Sequence, residues 1–299
     1  MARLCHAQRN PKSKVTAALS SCRAASAWKV GAVGYQMPFL TEACLPRKRL
    51  WESSVSRLNG RRSYEIRSPS NVGLPFGTYP RLITYWMATQ VKKGEGPRLD
   101  LGRNFTSFQR DLGIASCGGA NGPWNAVLDQ LKRLLVTTVT VTGGDLGSSD
   151  GWHSTVRALS SSSRLWSATS DQFANGEITL SLDLVDYLKR HASPIDMRAV
   201  HALRTSPLAL DIYCWLTARV YRLNRPVFLR WSWLAQQFGM GGKGVTTERT
   251  LQDFRLNFLR IAGRVKAMWP DLHFTADKEF FVLHPSEPHV KRKRCGYLC

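Results

Sequence analysis

The residues best equipped for chemistry gather on one segment, Thr247–Met268. Leu251, Phe254, Phe258, Ile261, Val265 and Met268 recur at steps of three and four, the spacing of one apolar helix face. On such a helix Arg249, Arg260 and Arg264 fall within about one-sixth of a turn of each other, away from that face. Arg255 and Lys266 lie together on the other flank, and only Glu248 and Asp253 oppose these cations. An arginine fork can donate two hydrogen bonds to a guanine edge, worth about 1–3 kcal/mol of discrimination. It can equally clamp phosphate, which gives affinity without reading sequence. Arg249 and Gln252, near the helix start, are the candidates for base edges. Arg255, Arg260, Arg264 and Lys266 are the candidates for phosphate. Lys243 in the turn before the helix and Lys278 in the turn after it extend the cationic path. The plain alternative is a solvated basic helix with no partner.

Enzymatic chemistry finds less support. Gly239-Met240-Gly241-Gly242-Lys243-Gly244 looks phosphate-cradling, but a P-loop needs Gly five residues before its Gly-Lys and Ser or Thr after it. Gln237 and Gly244 occupy those places. No His-x-His pair, Gly-x-Ser-x-Gly elbow, His-Glu-x-x-His or paired-carboxylate cluster is present. Cys5, Cys22, Cys44, Cys117, Cys214, Cys295 and Cys299 form no Cys-x-x-Cys pair and read as reduced thiols rather than a zinc site. The expectation is a protein that is not an enzyme and needs no cofactor or metal.

The elements that must position the basic helix occur in a repeated order. Ser206-Pro207 starts an apolar helix to Arg222. Asn224-Arg225-Pro226 breaks it, Val227–Arg230 is extended, and Ser232–Phe238 is a short helix stopped by Gly239. A Gly-rich turn, the basic helix and a hairpin follow, His273–Ala276 and Glu279–Leu283. Upstream, Arg81–Lys92 is a buried helix opened by Pro80, Arg98–Leu101 is extended, and Asn104–Leu112 is a short helix ended by Gly113. Gly118–Gly122 turns into a third helix, Pro123–Leu135. Val136–Thr142 is a strand, with Arg164–Ala168 as its expected return. Pro80 to Gly113 is 33 residues and Pro207 to Gly239 is 32. Helix, strand, helix, helix, hairpin is the winged-helix order, and it appears twice.

The expected fold class is therefore α+β, mainly helical, with two tandem winged-helix domains carrying β-hairpin wings. Residues 71–190 and 191–290 are the two domains, joined by helices at Leu180–Arg190 and Ile195–Arg204. In the first, only Lys132 and Arg133 stand out on the third helix, offset by Asp129, so the second should grip DNA more firmly. Trp215, Trp231 and Trp233 lie in apolar runs and are expected in the core. That argues against a single-strand binder built on an aromatic platform.

Charge points the same way. The 299 residues carry 42 Lys+Arg against 21 Asp+Glu, a net +21, a balance that attracts polyanions at long range. The 43% hydrophobic content suffices for proper cores. No run approaches the ~18 apolar residues that span a bilayer, so no membrane partner is expected. Residues 1–70 hold 13 Lys/Arg against three acids and read as a mostly disordered basic arm. Their first 41 residues, free of acids, superficially suggest a transit peptide. A disordered arm or an upstream extension of the reading frame fits equally, with Met37 as a downstream start. Residues 291–299 form a basic tail.

The sequence resembles the RepA-type plasmid replication initiators of Gram-negative bacteria. The resemblance rests on Leu74–Leu82, Gly118–Leu135, Ser206–Leu223 and Phe254–Pro270 and covers roughly residues 72–290. It implies a cytoplasmic protein that binds directly repeated sites in duplex plasmid-origin DNA, helps open the duplex and recruits the host initiator and replicative helicase. It also implies exchange with a homodimer, for which the apolar first domain is the place to look. A transcriptional regulator built from the same domains, or a protein-interaction module, remains the alternative.

Overall fold

The computed structural model describes residues 17, 20–114, 123–143, 153–166, 175–239 and 247–291. A helical stretch at 20–24 leads to strand β1 (Val33–Gln36) and helix α1 (Pro38–Ala43). Strands β2 (Ser54–Asn59) and β3 (Arg62–Arg67) follow as a hairpin. Gly60, at φ +62°, holds the first place of its two-residue turn, where a left-handed residue is needed.

Next come α2 (Tyr79–Lys93), β4 (Arg98–Asp100), α3 (Phe105–Asp111), α4 (Trp124–Leu135), β5 (Thr138–Gly143), β6 (His153–Ala158), β7 (Ser162–Arg164) and β8 (Glu177–Thr179). Helices α5 (Leu182–His191) and α6 (Met197–Leu203) flank β9 (Ser193–Asp196). The chain closes with α7 (Pro207–Val220), β10 (Val227–Arg230), α8 (Trp231–Gln237), α9 (Glu248–Met268), β11 (Phe274–Ala276) and β12 (Phe280–Leu283). Local chemistry sets these boundaries. The Ser206 hydroxyl accepts the Ala209 amide at 3.3 Å and Pro207 opens α7. Asn104 caps α3 by accepting the Ser107 amide at 2.9 Å, and Gly113, at φ +68°, lets the chain leave that helix.

Among the described residues the strands form four antiparallel sheets. Strand orders β4-β8-β7 and β10-β12-β11 share one arrangement, in which the last strand of each unit lies in the centre. The expected return strand of the first unit is corrected here. Ser162–Arg164 pairs with β8, whereas β5 pairs with β6 and β3, giving a four-stranded sheet β2-β3-β5-β6. Residues 167–168 and the Gly-rich turn at 118–122 lie outside the described residues.

The disordered arm is the larger correction, over residues 33–67; residues 1–16 and 18–19 lie outside the described residues. Strand β1 pairs with β9, and Met37, Phe39, Leu40, Ala43, Tyr64 and Ile66 are buried in the first unit's core. The charge of this segment masked its apolar content, which is spent on two packed elements and a hairpin. The core is built in two parts. One runs from Met37 to Leu188, the other from Ile195 to Leu283 with Cys44, Leu82 and Tyr85 added. Helix α1 lies against α7 and β2 against α8, so the N-terminal segment joins the two. Among the described residues no helix is long and apolar enough to cross a membrane.

Candidate nucleic-acid interface

Helix α9 is held by one apolar face. Phe254, Phe258, Ile261, Val265 and Met268 are buried, and Leu251 is half-buried at its edge. Around Phe258 the rings of Phe281, Trp231 and Trp215 stand at 5.1, 5.6 and 6.0 Å, a packing that fixes the helix's rotation. Thr247 caps the start, its hydroxyl accepting the Thr250 amide at 3.3 Å.

The opposite face meets solvent. Arg249, Gln252 and Arg260 are exposed there, with Leu256 between them at 56% exposure. Arg260 also donates to Asn257 Oδ1 at 2.7 Å. Arg264 is half-buried, and burial, then the like charge of Arg260, lowers its pKa. An anion placed there would relieve the repulsion.

The flank cations do different work. Arg255 Nη1 donates to the Lys278 carbonyl at 3.4 Å, tying the helix to the β11–β12 turn. Lys266 is exposed and its ammonium lies 5.5 Å from the centre of the Phe274 ring. Lys278 itself is exposed in that turn, beside Asp277, whose carboxylate accepts the amides of Glu279 and Phe280 at 2.8 and 2.7 Å. Lys243 lies outside the described residues.

In the first unit Lys132 is exposed, but Arg133 is occupied internally. Its Nε donates to Asp129 at 2.8 Å, its Nη1 to the Val72 carbonyl at 2.5 Å, and its guanidinium lies over Phe76. It fastens α4 to the segment before α2. Of the tail, Lys291 pairs with Glu287 at 2.9 Å, and residues 292–299 lie outside the described residues.

Sequence reasoning missed three features. Trp215 and Trp231 are buried as expected, but Trp233 is 57% exposed: in α8 the core-facing places fall to Trp231, Leu234 and Ala235. Leu256 projects from the cationic face of α9, an apolar side chain set among cations. Arg47 and Arg57, from the N-terminal segment, converge on Gly239. Arg47 Nη2 donates to its carbonyl at 3.4 Å, and a Cβ there would come within 2.6 Å of the Arg57 guanidinium.

One cluster has metal-ligand character. Ligand atoms of Cys22, Asp196 and His289 lie within 4.8 Å of each other. The Asp196 carboxylate is engaged by Arg198 at 2.6 Å, and His289 Nδ1 by the Tyr213 hydroxyl at 2.9 Å. Arg198 also donates to the carbonyls of Ser21 and Ala25 at 2.6 and 2.9 Å, so the cluster ties the residues before β1 to α6.

The sequence profile of the family described as "Plasmid encoded RepA protein" matches residues 74–233, from the approach to α2 into α8. The curated proteins contain no match. Among solved structures, the crystal structure of selenomethionine derivatives of domains 2 and 3 of RctB is similar in fold. It has a TM-score of 0.51 at 12% identity and covers 84% of this chain and 99% of that one. A second structure of RctB domains 2-3 gives a TM-score of 0.45 at 13% identity, over 82% of this chain and 87% of that one.

Proposed function

The chain belongs to the family of plasmid-encoded RepA proteins, and on that premise we propose that it initiates plasmid replication by binding repeated sites in duplex origin DNA. Each unit is read as a winged helix, with α9 of the second as the element that enters the major groove. The carrying observation is the two-sidedness of α9: an apolar face locked by aromatic rings, and an outer face presenting Arg249, Gln252 and Arg260. Arg249 and Gln252 would address base edges from the first turns. Arg260, Arg264, Lys266 and Lys278 would grip the backbone on either side, with Arg255 holding the hairpin turn in register.

Helix α4 of the first unit offers fewer cations than α9, with Lys132 as its contact, and the first unit is the proposed homodimer surface. The protein acts by binding rather than by catalysis, in the bacterial cytoplasm, and hands the opened origin to the host initiator and replicative helicase. A nuclease footprint on DNA flanking the gene tests this reading. Several direct repeats, with affinity falling steeply as salt rises, are expected. A single inverted repeat would make the protein a repressor, and no duplex binding at low salt would overturn the reading.

A further inference from the structure

A cavity of about 240 Å³ lies where helix α1 meets the end of α7 and the start of β10. Its lining brings together Arg219 and Arg222 at the end of α7, Glu42 of α1, and the apolar surfaces of Trp215, Leu223 and Val227. The Arg219 guanidinium is half-buried and stacks 4.8 Å from the centre of the Trp215 ring. Among the described residues neither arginine has an ion pair or donates a side-chain hydrogen bond. Glu42, the one carboxylate of the lining, accepts the Tyr64 hydroxyl and stands 3.9 Å from Arg62. Trp215 is buried, yet its Nε1 has no hydrogen-bond partner. Buried donors are nearly always satisfied, so an orphan beside a cavity points to something bound there.

The space is far larger than the ~30 Å³ of one water, and below the roughly 300–1,000 Å³ of sites for drug-sized ligands. Burial lowers the Arg219 pKa, with Glu42 working against it, and an anion in the cavity would relieve that cost. Two arginines and one glutamate leave a surplus of one positive charge, which a monoanion balances. A carboxylate matches an arginine fork with two parallel hydrogen bonds, and the walls at Leu223 and Val227 favour an apolar body behind it. Inorganic phosphate brings more charge than the surplus and no apolar part. We propose that this cavity binds a small apolar carboxylate, held by Arg219 and Arg222 with the Trp215 N–H as a further donor. Such a ligand would bridge the N-terminal segment and α7, a role independent of the DNA contacts assigned to α9.

Isothermal titration of the full chain with benzoate and with hexanoate, at constant ionic strength, tests it beside benzyl alcohol, hexanol and inorganic phosphate. At least one of the two acids is expected to bind at a single site with a Kd of about 1 mM or tighter. The matching alcohol and phosphate should bind at least about tenfold more weakly. Arg222→Gln, at an exposed position, should weaken the acid by about tenfold and leave the melting temperature of the free protein unchanged. Arg219→Lys, which keeps the charge and loses the fork, should weaken it as well. Arg249→Ala on α9 should leave it at the wild-type value. No saturable binding of either acid, equal binding of acid and alcohol, or wild-type affinity in both Arg222→Gln and Arg219→Lys would overturn the proposal. Phosphate binding as tight as that of the acids would make this an unselective anion site and also overturn it. A loss in Arg249→Ala equal to that in Arg222→Gln would move the binding to α9 and do the same.

Discussion

Arg81 and Asp211 form a two-pronged buried ion pair, with Nε donating to Oδ1 at 2.6 Å and Nη2 to Oδ2 at 2.7 Å. One sits at the start of α2 and the other in α7, the opening helices of the two units. Arg81 spends its remaining donors on the carbonyls of Leu45, Pro46 and Gly77 at 2.6, 3.3 and 2.5 Å. One guanidinium therefore gathers both units and the N-terminal segment. Asp211→Ala would leave that cation buried without its counter-charge, and a loss of about 3–5 kcal/mol is expected. A urea titration checks it: the midpoint should fall steeply, and an unchanged midpoint would contradict the role assigned to the pair.

Arg249 and Arg264 share a face of α9 but differ in exposure, and their substitutions should separate. Arg249→Ala is expected to relax discrimination at one or two base positions by about 1–3 kcal/mol. Arg264→Ala should weaken specific and random duplexes alike and lower the salt slope by about one. Competition binding against point-mutated sites distinguishes them. Identical behaviour would show that α9 does not lie in the groove as proposed.

Two histidines make stability depend on pH. Burial lowers the His201 pKa, with the like charge of Arg204 adding to it. Burial also lowers that of His289, although Asp196 and the Met268 backbone pull it partly back. The folded chain then binds fewer protons than the unfolded chain below the ordinary value of 6.5. Their stabilising contribution is complete above that value and is lost as pH falls toward the folded pKa. Melting temperatures should decline from about pH 7 to pH 5, and His289→Gln should make the decline shallower. An identical slope in that variant would remove His289 from the account.

Gly113 combines two constraints. Its φ of +68° is left-handed, and a Cβ would overlap the His201 ring. Gly113→Ala should therefore cost more than the about 1–3 kcal/mol of backbone strain alone. Calorimetry would show it as a lowered melting temperature. A value matching wild type would mean that α3 and α6 can part freely.

A chain starting at Met37 would lack β1, the partner of β9. It would also lack Gln36, whose Nε2 donates to the Cys214 carbonyl at 2.9 Å and to Thr217 at 3.0 Å. That chain should melt well below the full one, because β9 loses its partner strand and α7 the buried hydrogen bonds that Gln36 donates. Equal melting temperatures would make the strand dispensable.

Much of the second unit could be read from its residues because its signals are local. Ser206-Pro207, Asn224-Arg225-Pro226, Gly239 and the apolar steps of Leu251–Met268 each act within a few residues, and the observed α7, β10, α8 and α9 follow them closely. The N-terminal segment also held a readable signal. Asn59-Gly60 stands before the alternation Tyr64, Ile66 and between two strand-length runs. The cationic weight of residues 1–70 obscured it. Trp233 was misplaced for another reason: three aromatic or apolar neighbours do not say which way a two-turn helix faces.

The sequence by itself determined the charge, the repeated element order and the two-sided α9, since periodicity and turn residues act along the chain. Tertiary structure alone decided that β5 pairs with β3, that Arg133 reaches the Val72 carbonyl, that Arg81 finds Asp211 130 residues away, and that Phe228, Arg230, Phe280 and Trp233 share one face. Those outcomes depend on which groups meet across long separations once the cores close. No spacing along a chain encodes that meeting.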